Sequence, residues 1–178
     1  MATALLTPDQ NTVIAEIFIA APRERVFQAI TDPSQVARWW GQSDLYRVTE
    51  WNGDLRPGGK WSSVGVHADG NSSFRVEGEY LEVDPPRLLV HTWNPSWSNH
   101  PTTVVRWELE ERDVHGLQGR GPQRMGKGTL VRIRHDGFAG APKEAEGHGE
   151  GWKRVLGWMQ AFVEESKTVD SRPSAVQK

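Results

Sequence analysis

Residues 142–166 read PKEAEGHGEGWKRVLGWMQAFVEES, and the architecture turns on whether this stretch is a helix. Trp152, Val155, Leu156, Met159, Phe162 and Val163 recur at spacings of three and four, while Lys153, Gln160 and Glu164 fall opposite. That periodicity predicts a long helix with one apolar face. Its first half carries Gly147, Gly149 and Gly151, each costing about 1 kcal/mol relative to alanine in a helix interior. Something other than propensity must hold that turn helical, or the helix bends there.

Upstream, VIAEIFIA (Val13–Ala20) is nearly all apolar and isoleucine-rich, which predicts a strand buried along most of its length. APRERVFQAITD then opens a short helix near Pro22, with Val26, Phe27 and Ile30 on one side. Asp32 can cap a second short helix that has Pro33 at its first position and Gly41 just past its end. Six alternating segments follow: YRVTEW, KWSSVGVH, FRVEGEYLEV, RLLVHTW, TTVVRWELEE and TLVRIRH. The signals between them are hairpin-like, such as Pro57-Gly58-Gly59 and Asp84-Pro85-Pro86, with no helical crossover, so the sheet is expected to be antiparallel. The glycine-rich, basic run Arg112–Gly128 reads as a flexible hairpin loop rather than a phosphate cradle.

This order predicts an α+β fold: a seven-stranded, curved antiparallel sheet wrapped around the long C-terminal helix, with two short helices after the first strand. One domain is expected over residues 8–168, followed by a polar, disordered tail at 169–178. A net charge of −2 and a pI near 6.3 give no field that would attract nucleic acid or an anionic membrane. With no cysteine there is neither a disulfide nor a thiolate nucleophile, which suits a reducing compartment. The start, MATALLTPDQNT, has no signal-peptide pattern, and no apolar run reaches the ~20 residues of a membrane span, so a cytoplasmic protein is expected.

Strand alternation assigns side chains to the face that meets the helix. It selects Phe74, Val76, Gly78 and Tyr80; Trp61, Ser63, Gly65 and His67; Val105, Trp107 and Leu109; and Val131, Ile133 and His135. In LLVHTW either parity is open, with Leu89, His91 and Trp93 the favoured set. Arg106 and Arg132 fall outward, where they can pair with glutamates across strands. Large rings mixed with a few polar groups form the usual lining of a small-molecule pocket. The adjacent Trp39 and Trp40 point about 100° apart on a helix, so one can anchor it to the core while the other lies across a cavity mouth; the plainer alternative is that both simply pack. His67, His91, His135 and His148 could converge inside as acids or bases, or serve as neutral hydrogen-bonded core histidines. No metal-binding spacing, nucleophile elbow or P-loop occurs, so neither metal nor cofactor is expected.

The elements IAAPRERVFQAITDPSQVARWWG, GDLRPGGKW, VEGEYLEVDPPRLLVHTW, GTLVRIRHDGF and EGHGEGWKRVLGWMQAFVE resemble, in order and spacing, the START-like (SRPBCC) superfamily. Within it, the chain is similar to the branch named for the activator of the heat-shock chaperone ATPase. The resemblance implies a helix-grip fold with a hydrophobic cavity between sheet and helix, occupied by a lipid-like, aromatic or polyketide-like ligand. Its expected lining is Trp39, Trp40, Trp61, His67, Phe74, Val76, Tyr80, His91, Trp93, Trp107, His135, Phe138, His148, Trp152 and Met159. A cyclase or aromatase acting by proton transfer is the first alternative, and a chaperone-associated interaction module the second. Co-chaperone activity is not expected, because only about a dozen residues precede the first strand, whereas the eukaryotic co-chaperone carries an additional N-terminal domain. A homodimer is left open.

Overall fold

A computed structural model describes residues 1–117 and 122–170, and the side chains of all of these but 114–117, 122–125 and 166–170. The elements in chain order are β1 (Thr3–Leu6), β2 (Thr12–Ile19), α1 (Arg23–Thr31), α2 (Pro33–Trp39), β3 (Gly41–Gln42), β4 (Tyr46–Gly53), β5 (Lys60–His67), β6 (Ser73–Asp84), β7 (Leu88–Pro95), β8 (Thr103–Leu117), β9 (Pro122–Asp136) and α3 (Pro142–Asp170). All strands pair antiparallel in one sheet, ordered β1-β2-β9-β8-β7-β6-β5-β4-β3.

The sheet therefore has nine described strands rather than the expected seven. The two additions are edge strands that lack a clear apolar alternation: β1 is only half shielded, and β3 is two residues long. Arg112–Gly128 is corrected as well. β8 and β9 stay paired through it as far as Leu117 opposite Pro122, because ladder hydrogen bonds need no apolar side chains. At the other end α3 continues to Asp170, and the remainder of the expected tail lies outside the described residues.

Curvature comes from register breaks. β4 is irregular between Val48 and Glu50 and β6 between Tyr80 and Glu82, and such bulges bend a strand and increase its twist. The concave face carries the inward residues expected from alternation, Val105, Trp107 and Leu109 on β8 and Val131, Ile133 and His135 on β9, together with Val13, Ala15, Ile17 and Ile19 on β2, all buried. Leu88 and Val90 are buried too, which explains why parity in β7 was ambiguous. On the convex face Arg106 meets Glu82 at 3.0 Å and Arg132 meets Glu16 at 2.5 Å. Exposed pairs of this kind contribute at most about 1 kcal/mol each.

Helix α3 lies on the β1–β2 side of the concavity. Gln160 Nε2 donates to the Phe18 carbonyl at 3.0 Å, and the Glu164 carboxylate accepts from the Ala20 amide at 2.9 Å. A Cβ at Gly149 would meet Val13 and Ala4 at 3.7 and 3.9 Å, so this glycine sits against the sheet. Docking of this kind, not propensity, keeps the glycine-bearing turns helical.

The short helices are set by local chemistry. Asp32 Oδ1 accepts from the Ser34 amide at 2.9 Å, capping α2, with Pro33 at its first position. The Trp39 indole donates to the Ala29 carbonyl at 2.9 Å and ties α2 to α1. Immediately after α2 the chain reverses at Gly41, whose φ is +122°. A Cβ there would collide with the Tyr46 carbonyl oxygen and approach Arg47 Cα at 2.8 Å. Gly41→Ala is expected to cost about 3 kcal/mol, whereas Gly70→Ala, at φ +70° with open space around it, is expected to cost about 1 kcal/mol. Urea denaturation of both variants checks the difference; equal losses would remove the steric account of Gly41.

Candidate functional site

The concave sheet and the first turns of α3 do not close on each other. Between them lies a cavity of about 730 Å³, open to one side. The sheet contributes Val48, Ser63, His67, Phe74, Val76 and Trp93 to its wall, and Trp40 enters from the end of α2. Helix α3 adds Gly147, His148, Gly151, Trp152 and Val155, with Lys143 and Glu144 where the helix begins. Tyr46, Ser73, Ser96 and Trp97 complete the wall.

The aromatic side is rigidly built. Trp40 stacks on Trp39 at 5.2 Å between ring centroids and on Trp93 at 6.4 Å, and meets Trp152 edge-on at 6.0 Å. Trp39 is the anchoring member of the adjacent pair, and Trp40 is an inner wall at 8% exposure rather than a flap over the opening. Phe74 lies directly over Gly65 of the neighbouring strand, where any Cβ would collide with its ring. Tyr46 and Trp97 each meet Phe74 edge-on, at 5.2 and 5.3 Å. Trp97 is 54% exposed, which places the outer end of the cavity on this side.

Of the residues expected to line a pocket, Trp40, His67, Phe74, Val76, Trp93, His148 and Trp152 are on this wall. Trp39, Trp61, Tyr80, His91, Trp107, His135, Phe138 and Met159 are packed in the core around it. Alternation assigns a face, not a depth. Trp61 points inward but is covered by Trp51 at 5.1 Å and Trp93 at 5.7 Å, and Trp107 lies behind Trp40 and Trp152. Gly147 and Gly151 were read only as helix-weakening; their i, i+4 spacing, flanked by His148, Trp152 and Val155, was the signal that they share one helix face. Tyr46 opens β4 and Trp97 lies in the turn after β7, where alternation carries no information.

The histidines divide by their bonding. His91 Nδ1 lies 3.0 Å from the Thr92 carbonyl, and its Nε2 accepts the Trp107 indole hydrogen at 3.2 Å. His135 Nδ1 accepts from the Trp152 indole at 3.1 Å, and its Nε2 donates to Thr103 Oγ1 at 2.6 Å. Each ring is neutral, each tautomer follows from its partners, and neither has a nitrogen left for a substrate. Burial pushes the His91 pKa down to about 4. Burial also holds His135 well below the ordinary range, with His148, His91 and His100 adding to the depression. His148 is different. Its Nδ1 lies 2.8 Å from the Glu144 carbonyl, while its Nε2 is buried with no hydrogen-bond partner among the described residues. Burial lowers its pKa, with the Glu144 carbonyl and carboxylate opposing. His67 is exposed beside Phe74. Among the described residues no group of three or more His, Asp or Glu side chains is placed to hold a metal, and no helix is long and apolar enough to cross a membrane.

The locked imidazoles have a thermodynamic consequence. In the unfolded chain a histidine takes up a proton near pH 6.5, whereas folded His91 does so only near pH 4. Stability is therefore complete above pH 6.5 and falls as the pH drops toward 4, by about 3 kcal/mol from His91 with a further loss from His135. The denaturant midpoint is expected to be level from pH 7.5 to 6.5 and to decline steadily below that. A level midpoint down to pH 5 would contradict the assignment.

Comparison with known proteins places this geometry. The family model described as Activator of Hsp90 ATPase homolog 1-like protein matches residues 20–117, over half of the chain. The crystal structure of Ms6760 from Mycobacterium smegmatis superposes with a TM-score of 0.70 at 20% identity, covering 91% of this chain and 96% of its own. A crystal structure from Rhodobacter sphaeroides gives 0.72 at 16% identity over 93% and 99%. CalU16 from Micromonospora echinospora gives 0.58 at 23% identity over 95% and 87%. At these identities the likeness is one of fold. No curated protein sequence matches the chain. With the matched segment running from the end of β2 to the far end of β8, and a curved antiparallel sheet gripping a long C-terminal helix, the chain belongs to the Activator of Hsp90 ATPase homolog 1-like family, as an SRPBCC domain of the helix-grip fold.

Proposed function

We propose that this protein binds a small hydrophobic, ring-containing molecule in the cavity between the sheet and α3. The family typically takes hydrophobic ligands, and one observation on this chain carries the reading. Gly147 and Gly151 occupy cavity-facing positions of α3 with no other structural requirement: neither has a positive φ, and a Cβ on either would point into open space. Each costs the helix about 1 kcal/mol relative to alanine. What the glycines secure is room. Around them, Trp40, Trp93 and Phe74, with Trp152 beside Gly151 on α3 itself, offer flat faces on which a ring can stack, in a volume suited to a drug-sized molecule.

Proton-transfer catalysis is the weaker reading. It needs an acid and a base converging on one substrate position. His91 and His135 are committed to indoles, Glu144 accepts from Ser98 Oγ at 3.0 Å, and of the two imidazoles on the wall His67 is exposed beside Phe74 while His148 Nε2 is buried.

Gly151→Leu separates fold from function, because it raises helix propensity while filling the cavity. The variant is expected to melt at or above the wild-type temperature and to bind the fluorescent probe N-phenyl-1-naphthylamine at least about tenfold more weakly, the scale of about 1.4 kcal/mol. Native mass spectrometry of the freshly purified wild type should show a co-purifying small molecule that is lost on denaturation. Absence of any saturable probe binding, together with an empty protein, would overturn the proposal.

A further inference from the structure

We propose that Ser63, on the sheet wall of the cavity, orients the guest by hydrogen-bonding one uncharged oxygen that it carries, a carbonyl or a hydroxyl. This rests on the hydrophobic-ligand reading and adds both the polar atom of the ligand and the residue that meets it. Six polar side chains are buried among the described residues: Thr12, Ser63, His91, Thr103, Thr129 and His135. Five of them are bonded within the protein. Thr12 Oγ1 donates to the Asp136 carboxylate at 2.6 Å and Thr129 Oγ1 to the Ala21 carbonyl at 2.7 Å. Thr103 Oγ1 meets His135 Nε2 at 2.6 Å, and the two histidines take the indole hydrogens of Trp107 and Trp152. Ser63 Oγ alone has no partner among the described residues. It is not sealed in as Trp51 Nε1, Trp93 Nε1 and His148 Nε2 are, and the surface that Ser63 keeps belongs to the cavity wall. Buried polar groups in native proteins are nearly always paired, so the one exception that faces a void points to an occupant of that void.

Register explains why this hydroxyl stands apart. Ser63 lies on β5 with ladder partners on both sides, Trp51 on β4 and Val76 on β6, so the neighbouring backbone is taken up by the sheet while the side chain stands off it. Two residues along the same face is Gly65, over which Phe74 lies. The hydroxyl is thus a single polar point on a wall that Val48, Phe74, Val76 and Trp93 make apolar. A serine hydroxyl both donates and accepts, so a ketone or a hydroxyl on the guest answers it equally. An ionised group does not. None of these neighbours carries a charge, and the two charged members of the wall, Lys143 and Glu144, stand at the start of α3. A carboxylate seated at Ser63 would lose its hydration without gaining a counter-ion. A neutral oxygen there leaves the guest's ring to the flat faces of Phe74 and Trp93.

Displacement of N-phenyl-1-naphthylamine from the full chain by naphthalene, 2-acetylnaphthalene and 2-naphthoate tests this in wild type and Ser63→Ala. Comparing the two proteins cancels the differing hydration and size of the competitors. The preference for 2-acetylnaphthalene over naphthalene is expected to be about fivefold larger in wild type than in Ser63→Ala, the scale of one neutral hydrogen bond, and 2-naphthoate is expected to be the weaker of the two oxygenated competitors in wild type. The same preference in both proteins would mean that solvent alone serves the hydroxyl; it would overturn the Ser63 proposal and leave the hydrophobic-ligand reading standing. Binding of 2-naphthoate as tight as that of the ketone would overturn the requirement for an uncharged oxygen. Failure of the probe and of every competitor to bind wild type would remove both readings. Ser63→Cys, nearly the same size but a weak hydrogen-bonding partner, is expected to lose the preference as Ser63→Ala does, and decides the question if the alanine variant does not fold.

Discussion

Much of the interior of this domain is arranged around one demand, that a buried indole place its N–H on an acceptor; five tryptophans meet it, and Trp51 and Trp93 have no partner among the described residues. The chain has nine tryptophans and a sheet that buries many of them on one face. Backbone carbonyls serve two of them, Ala29 for Trp39 and Thr92 for Trp61. A side-chain amide serves Trp158, through Gln42. For Trp107 and Trp152, both buried, the acceptors are the imidazoles of His91 and His135. Those histidines are structural. Their placement in a catalytic-looking cluster follows from the tryptophans they accommodate, and their depressed affinity for protons is the thermodynamic cost of that role.

The same demand shapes the cavity. The aromatic cluster fills the space beneath Trp40, so the core is solid there. Beyond it the wall passes to α3, where Gly147 and Gly151 leave room between His148, Trp152 and Val155. The void is therefore bounded by rigid rings on one side and by a helix face relieved by two glycines on the other. A guest entering such a site loses little by ordering its surroundings, because the stacked rings are already fixed by one another. Trp93 Nε1 and His148 Nε2 are buried here with no partner among the described residues.

Much of the fold was legible in the residues because it depends on periodicity and local chemistry. Alternation in β5, β6, β8 and β9 named the inward faces, the three-and-four spacing from Trp152 to Val163 named the buried face of α3, and Asp32-Pro33 marked the start of α2. The edge strands β1 and β3 and the extended β8–β9 hairpin escaped because their pairing rests on ladder hydrogen bonds, to which side-chain pattern is blind. Trp97 and Tyr46 escaped for a related reason: a side chain in the turn after a strand, or on the first residue of one, is aimed by the turn.

From its sequence alone, then, this chain determined which surfaces are apolar, the order of its elements and the family to which it belongs, because those properties reside in spacing along the backbone. Tertiary structure decided which inward rings are wall and which are filler, which imidazoles are committed, and that two glycines are an opening. Those are matters of depth and mutual distance. They arise only where residues far apart in the chain, such as Trp93 and His148, come to share one space.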